Sequence, residues 1–88
     1  MKIKNGFTVK RVVDEYMLLP TGDNIKKFGG SVIINEVTAY ILELLKKDVT
    51  EEEIVNAVVN EYEVGKDVAE GDVQALILKL KDYGIIDD

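Results

Sequence analysis

Ser31-Val32-Ile33-Ile34-Asn35 is a short apolar run closed by a helix-capping residue, and the chain from there to Ile86 reads as three amphipathic helices in succession. Asn35 offers a side-chain acceptor to the open amides of a first helical turn. Val37, Tyr40, Ile41, Leu44 and Leu45 then follow at i, i+3, i+4, i+7 and i+8, one face of a helix. Lys46-Lys47 falls in its last turn, where the helix dipole favours cations. Thr50 and Glu53 have the spacing of a capping box, and Ile54, Val55, Val58, Val59 and Tyr62 form the inward stripe of the second helix, with Gly65 at its end. The third pattern opens near Asp67 and turns Ala69, Val73, Leu76, Ile77 and Leu80 inward. Gly84 before Ile85-Ile86 has the form of a Schellman-type ending. Gly71 inside that helix costs about 1 kcal/mol against alanine, which argues for a later start.

Ahead of Ser31 the chain reads as strands. Phe7-Thr8-Val9-Lys10-Arg11-Val12-Val13 alternates partly with period two. Asp14-Glu15 is the expected tight turn and Tyr16-Met17-Leu18-Leu19 the hairpin partner, ended by Pro20, which cannot donate to a ladder. Thr21-Gly22-Asp23-Asn24 is a turn signal. Ile25-Lys26-Lys27-Phe28 is expected to resume extended structure, with a bend at Gly29-Gly30. Residues 7–34 thus make a three-stranded antiparallel meander, and residues 1–5 with Asp87-Asp88 are expected to fray. No linker or repeat divides the chain, so residues 1–88 are expected to be a single domain.

An 88-residue chain with 47% apolar residues can build one core and bury about two-thirds of its unfolded surface. The net charge of −6 is unevenly placed, since residues 1–30 carry six bases against three acids and residues 31–88 five against fourteen. The acidic half is the helical half. A helix reading nucleic acid needs the opposite sign. There is no cysteine or histidine. Disulfide and thiolate-metal staples are therefore excluded, along with the usual neutral-pH general base. No apolar run reaches the ~20 residues that span a membrane, and no secretory core follows the basic N-terminus. The expected compartment is the cytoplasm, and no metal or cofactor is implied.

The candidate chemical groups have structural explanations. Glu51-Glu52-Glu53 suits a helix N-terminus. Gly29-Gly30-Ser31 lacks the spacing of a phosphate loop, and Lys26-Lys27 is a solvated pair or a contact for an acidic partner. Tyr40, Tyr62 and Phe7 sit at core spacing, while Tyr83 packs locally or rims a groove. Leu78 lies about 140° from Val73 around the third helix, on a flank with Gly71 and Ala75. That second strip either touches another part of the core or stays open for a partner.

The progression Phe7…Tyr16-x-Leu18-Leu19…Ile34-Asn35-x-x-x-x-Tyr40-x-Leu42, Thr50-x-x-Glu53-Ile54…Tyr62 and Asp72-Val73…Leu80-x-x-x-Gly84-Ile85-Ile86 resembles the PqqD family. That family is named for a small protein of pyrroloquinoline quinone biosynthesis. It is the prototype of the peptide-recognition domain of pathways that make ribosomally synthesised, post-translationally modified peptides. The resemblance implies an α+β, winged-helix-like fold with a three-stranded antiparallel sheet followed by three helices. It also implies a non-catalytic role, in which the leader segment of a precursor peptide adds as a strand to the third β-strand against the third helix. The partner would be a modifying enzyme, often a radical S-adenosylmethionine protein. Carried over by position, the sheet side of the groove is Ser31, Val32, Ile33 and Ile34, and the helix side Asp72, Ala75, Leu76 and Lys79, with Leu78 a further candidate. In place of the single Gly-rich or acidic turn usual before strand three, this chain has Asn24-Ile25-Lys26-Lys27-Phe28-Gly29-Gly30. An open third-strand edge allows a monomer or a strand-exchanged dimer. The rival readings are a winged-helix nucleic-acid binder and a protein-interaction domain of another kind.

Overall fold

A computed structural model describes residues 1–87, with Phe28 and Asp87 described by backbone alone. In chain order the elements are β1 (Lys2–Ile3), β2 (Phe7–Val12), β3 (Glu15–Pro20), α1 (Asn24–Phe28), β4 (Val32–Ile34), α2 (Glu36–Leu44), α3 (Glu51–Tyr62), α4 (Lys66–Asp82) and β5 (Ile86–Asp87). The fold is α+β, with a three-stranded antiparallel sheet in the order β2-β3-β4 and the helices packed against it.

The meander is present, with two corrections. Its first turn is Val13-Asp14, not Asp14-Glu15, because Val12 pairs with Glu15. Residues 25–28 are not extended. Thr21 and Gly22 accept the amides of Asn24 and Ile25, and Gly29 at φ 82° returns its amide to the Ile25 carbonyl, closing one short helix. Lys26 and Lys27 fall in its last turn, where cations suit the dipole. The third strand is therefore only Val32–Ile34.

The helix caps are those the sequence indicates. Asn35 Oδ1 accepts the Thr38 amide at 2.7 Å. Thr50 Oγ1 accepts from Glu53 N, and Glu53 Oε1 accepts from Thr50 N, a complete capping box. Glu53 is thereby engaged in the cap. Gly84 at φ 72° ends α4 with its amide on Lys81 O and the Ile85 amide on Leu80 O, the two bonds of a Schellman motif. Three boundaries differ from expectation. The first of the amphipathic helices, α2, stops at Leu44, so Lys46 and Lys47 lie beyond it. Glu63 in the left-handed region, not Gly65, ends α3, and Gly65 is the N-cap of α4. Finally, α4 starts at Lys66 and runs straight through Gly71.

The core lies between the sheet and the three long helices. Leu18 from β3, Ile41 and Leu42 from α2 with Leu45 just after it, Ile54, Val55 and Val58 from α3, and Ala69, Val73, Ile77 and Leu80 from α4 are all buried. Ala39 and Leu42 extend the buried face of α2 past the predicted stripe, since that helix is covered by both the sheet and α3. Leu76, also in the predicted stripe, is only half-buried.

The ends are paired rather than frayed. β1 and β5 form an antiparallel ribbon, Lys2 opposite Asp87 and Ile3 opposite Ile86. Ile3 N donates to Leu45 O and Lys4 N to Ile85 O, both at 2.8 Å. The Met1 ammonium sits 2.8 Å from an Asp48 carboxylate oxygen. Asp88, the last residue of the expected frayed end, lies outside the described residues. Among the described residues no helix is long and apolar enough to cross a membrane.

Candidate functional site

β4 and β2 are the two edge strands of the sheet, and the hydrogen-bonding phase of β4 follows from the hairpin. A two-residue turn joins Val12 C=O to Glu15 N–H, so Val12–Glu15 is a hydrogen-bonded pair. Such pairs alternate with non-bonded ones, which makes Lys10–Met17 and Thr8–Leu19 bonded and Phe7–Pro20 non-bonded. The last suits Pro20, which has no N–H. The next bonded position is Gly6–Thr21, and Thr21 N does donate to Gly6 O, at 2.7 Å. On β3, then, Met17 and Leu19 direct their backbone to β2, while Tyr16 and Leu18 direct theirs to Ile34 and Val32 of β4. Ile33, opposite Met17, is left with both N–H and C=O facing outward.

Side chains alternate with the same period. Val32 and Ile34 share the face of Leu18 and Tyr16, toward the helices, while Ile33 shares the outer face with Met17 and is 66% exposed. Across from β4 stands the C-terminal half of α4. Between them lies a groove of about 230 Å³ lined by Val32, Ile33, Ile34, Leu76, Lys79 and Tyr83, with Asn35 and Thr38 at one end and Leu18, Leu80 and Ile85 also lining it. That volume is below the ~300–1,000 Å³ of small-molecule pockets. The groove offers apolar slots for a few side chains beside an open strand edge, with Lys79 the charged group among its described lining residues.

Of the residues singled out from sequence, Val32, Ile33, Ile34, Leu76 and Lys79 come together here. Asp72 borders the adjoining hollow, which shares Asn35, Thr38 and Leu76 with the groove. Ser31 is exposed just before β4, and Ala75 is exposed on α4; neither is among the lining residues. Leu78 is 64% exposed and lies about 160° around α4 from Leu76, so its strip neither joins the core nor lines the groove. Tyr83 rims the groove. Thr38 and Asn35 gave no sequence signal beyond capping, because their place at the groove depends on how α2 meets β4.

A second cleft, between the β2–β3 hairpin and α2–α3, is lined by Arg11, Tyr16, Tyr40 and Tyr62 with Glu36, Glu43 and Glu61. The Tyr40 and Tyr62 rings meet edge to face at 5.5 Å, and Arg11 stands 5.7 Å over the Tyr16 ring. Burial first, then the Glu36 and Glu61 carboxylates, hold the Tyr62 phenol above its ordinary pKa. Arg11 is the cation among its described lining residues, against three carboxylates.

The sequence profile of the family described as Coenzyme PQQ synthesis protein D (PqqD) matches residues 15–86. No curated protein matches the chain. Two solved structures share its fold. One is TbiB1 in complex with the TbiA(beta) leader peptide, with a TM-score of 0.76 and 26% identity over 100% of both chains. The other is a lasso peptide synthetase B1 complexed with the leader peptide, with a TM-score of 0.73 and 24% identity over 96% of this chain and 93% of that one.

Proposed function

The chain belongs to the PqqD family, and on that footing we propose that it binds the leader segment of a ribosomally made precursor peptide and presents it to a modifying enzyme, without itself catalysing a reaction. The observation that carries this reading is Ile33, whose outward N–H and C=O lie on the open edge of β4 beside an apolar groove. An extended peptide adds there as a fourth strand. Its backbone bonds to Ile33, and the residues on either side of that pairing point toward Leu76 and Tyr83. Strand addition of this kind takes affinity from the main chain and specificity from alternate side chains. The contacts are Ser31, Val32, Ile33 and Ile34 on the sheet side and Asp72, Leu76, Lys79 and Tyr83 on the helix side, while Ala75 and Leu78 stay outside. Residues 1–88 act in this as one peptide-binding domain. Two solved structures of similar fold are leader-peptide complexes, which favours the same class of ligand here.

The test is selection of displayed random peptides on the whole chain, followed by amide spectra of the ¹⁵N-labelled protein with the winners. Binding on the order of micromolar, about −8 kcal/mol, should shift Ile33, Leu76 and Tyr83 and slow exchange of the Ile33 amide. Peptides that shift only residues away from β4 and α4 would refute the assignment. A concentration-dependent dimer that the peptide dissociates would show a second copy using the same edge.

A further inference from the structure

The groove is electrically polar along its length. Asp72 and Lys79 lie two turns apart on α4, about 10 Å along the axis; Lys79 lines the groove, and Asp72 lines the hollow that adjoins it. At the Ile34 end the adjoining hollow carries Asp72 and no base among its described lining residues. At the other end Tyr83 is shared with a second hollow of about 350 Å³, lined by Lys4, Lys27, Asn24 and Gly84 among others and by no described acid. In a chain of 17 acids and 11 bases, a groove end whose described lining holds lysines and no acid is a specific arrangement. Among the described residues neither Lys27 nor Lys79 has an ion-pair partner. Asn24 helps to fix the hollow, since its Nδ2 donates to the carbonyls of Asn5 and Gly6 at 3.2 Å.

Resting on the peptide-binding reading above, we infer that the bound segment carries an aspartate or glutamate on the C-terminal side of the residue paired with Ile33. That side chain is taken up between Lys79 and Lys27. The direction follows from the sheet. Its strands are all antiparallel, and a strand added in the same alternation starts beside Ile34 and ends beside Val32. The chain before Val32 leads back through Gly30 and Gly29 to α1, where Lys27 sits. At about 3.3 Å per residue, the acid falls about two to four positions after the Ile33 pairing. A carboxylate there meets two ammonium groups, whereas a basic side chain would be repelled. The same polarity rejects the segment in reversed direction, because its acid would then stand beside Asp72.

The experiment uses the peptides selected on the full chain, a Lys27→Glu/Lys79→Glu double variant and the Ile33→Pro variant, with melting curves for each. The wild type should enrich an acidic residue at that position and bind the enriched peptide at least ten-fold more tightly than its acid-to-lysine twin. The double variant should reverse the preference. Equal binding of the two peptides by the wild type, or acid enrichment on the N-terminal side, overturns the inference and leaves strand addition standing. Binding that Ile33→Pro does not reduce in a folded variant overturns strand addition, and the inference with it.

Discussion

Ile33 stands opposite Met17 in a non-hydrogen-bonded pair, so the backbone of Ile33 belongs to the open edge and not to the sheet. Its neighbours are the reverse case. Val32 and Ile34 bond inward to Leu18 and Tyr16 and turn their side chains to the groove. One residue therefore supplies the backbone of the site, and the two beside it supply part of its apolar wall.

The first prediction follows from that phase. Ile33→Pro removes an outward amide and should leave the β3–β4 ladder in place, so the melting temperature should fall little while peptide affinity drops by ten-fold or more. Val32→Pro removes an inward amide and should destabilise the fold. Calorimetry beside titration of a selected peptide separates the two. Equal melting curves with equal affinities would show that the phase has been misassigned.

Gly71 lies in the interior of α4 on an exposed face, and a Cβ there meets nothing within 4 Å. Gly71→Ala should therefore raise stability by about 1 kcal/mol. Peptide affinity should stay unchanged, since the site is on the far side of the helix from the groove. Urea unfolding measures the gain, and a loss would indicate a contact on that face.

Val13 is a β-branched residue at φ 57° in the hairpin turn, 82% exposed. The left-handed region costs an L-residue about 1–2 kcal/mol, partly offset in a glycine variant by the larger entropy of its unfolded chain. Val13→Gly is expected to stabilise by about 0.5–1 kcal/mol, read from chemical denaturation with unchanged m-value.

The helices were legible because their signals are local. Asn35, the Thr50–Glu53 pair and Gly84-Ile85 each satisfy open backbone groups within a few residues, and each cap forms where the spacing places it. The β1–β5 ribbon left no such signal, because Lys2 meets Asp87 only after the whole chain has folded. The short helix α1 was masked by Asn24-Ile25-Lys26-Lys27-Phe28, whose composition suits a strand or a loop; the left-handed Gly29 and the Thr21-Gly22 carbonyls decide it. At the groove, Val32, Ile33, Ile34, Leu76 and Lys79 were reachable by position. Lys27 was separated from them because its place depends on that unexpected helix.

The Asp48 carboxylate is held below its ordinary pKa first by the hydrogen bond from the Met1 ammonium, then by the charge of that group and of Lys2. A depressed folded-state pKa contributes stability that is present above the ordinary carboxylate value and disappears as pH falls through the lowered one. Asp48 is 85% exposed, so the effect should be small and weakened by salt. Asp48→Asn should lower the melting temperature slightly near neutral pH, and the two proteins should converge in strong acid. A difference that grows on acidification would have the wrong sign for this pair.

The final prediction sets two leucines of α4 against each other. Leu76 and Leu78 are two residues apart, yet one lines the groove beside Ile34 and Lys79 and the other faces outward. Leu76→Ala removes three buried or half-buried carbons from the wall against which an added strand packs. It should weaken peptide binding by about ten-fold, or 1.4 kcal/mol, and also cost some stability, because Leu76 packs on the core. Leu78→Asp adds a charge to a side chain already in water, so no desolvated charge is created. It should change neither the melting temperature nor the affinity appreciably. The sequence alone left Leu78 open between core and partner surface, so the two variants test the assignment directly. Isothermal titration of both with one selected peptide, normalised to the folded fraction, decides it. If Leu78→Asp loses the peptide while Leu76→Ala keeps it, the peptide docks on the outer strip of α4 and not between α4 and β4.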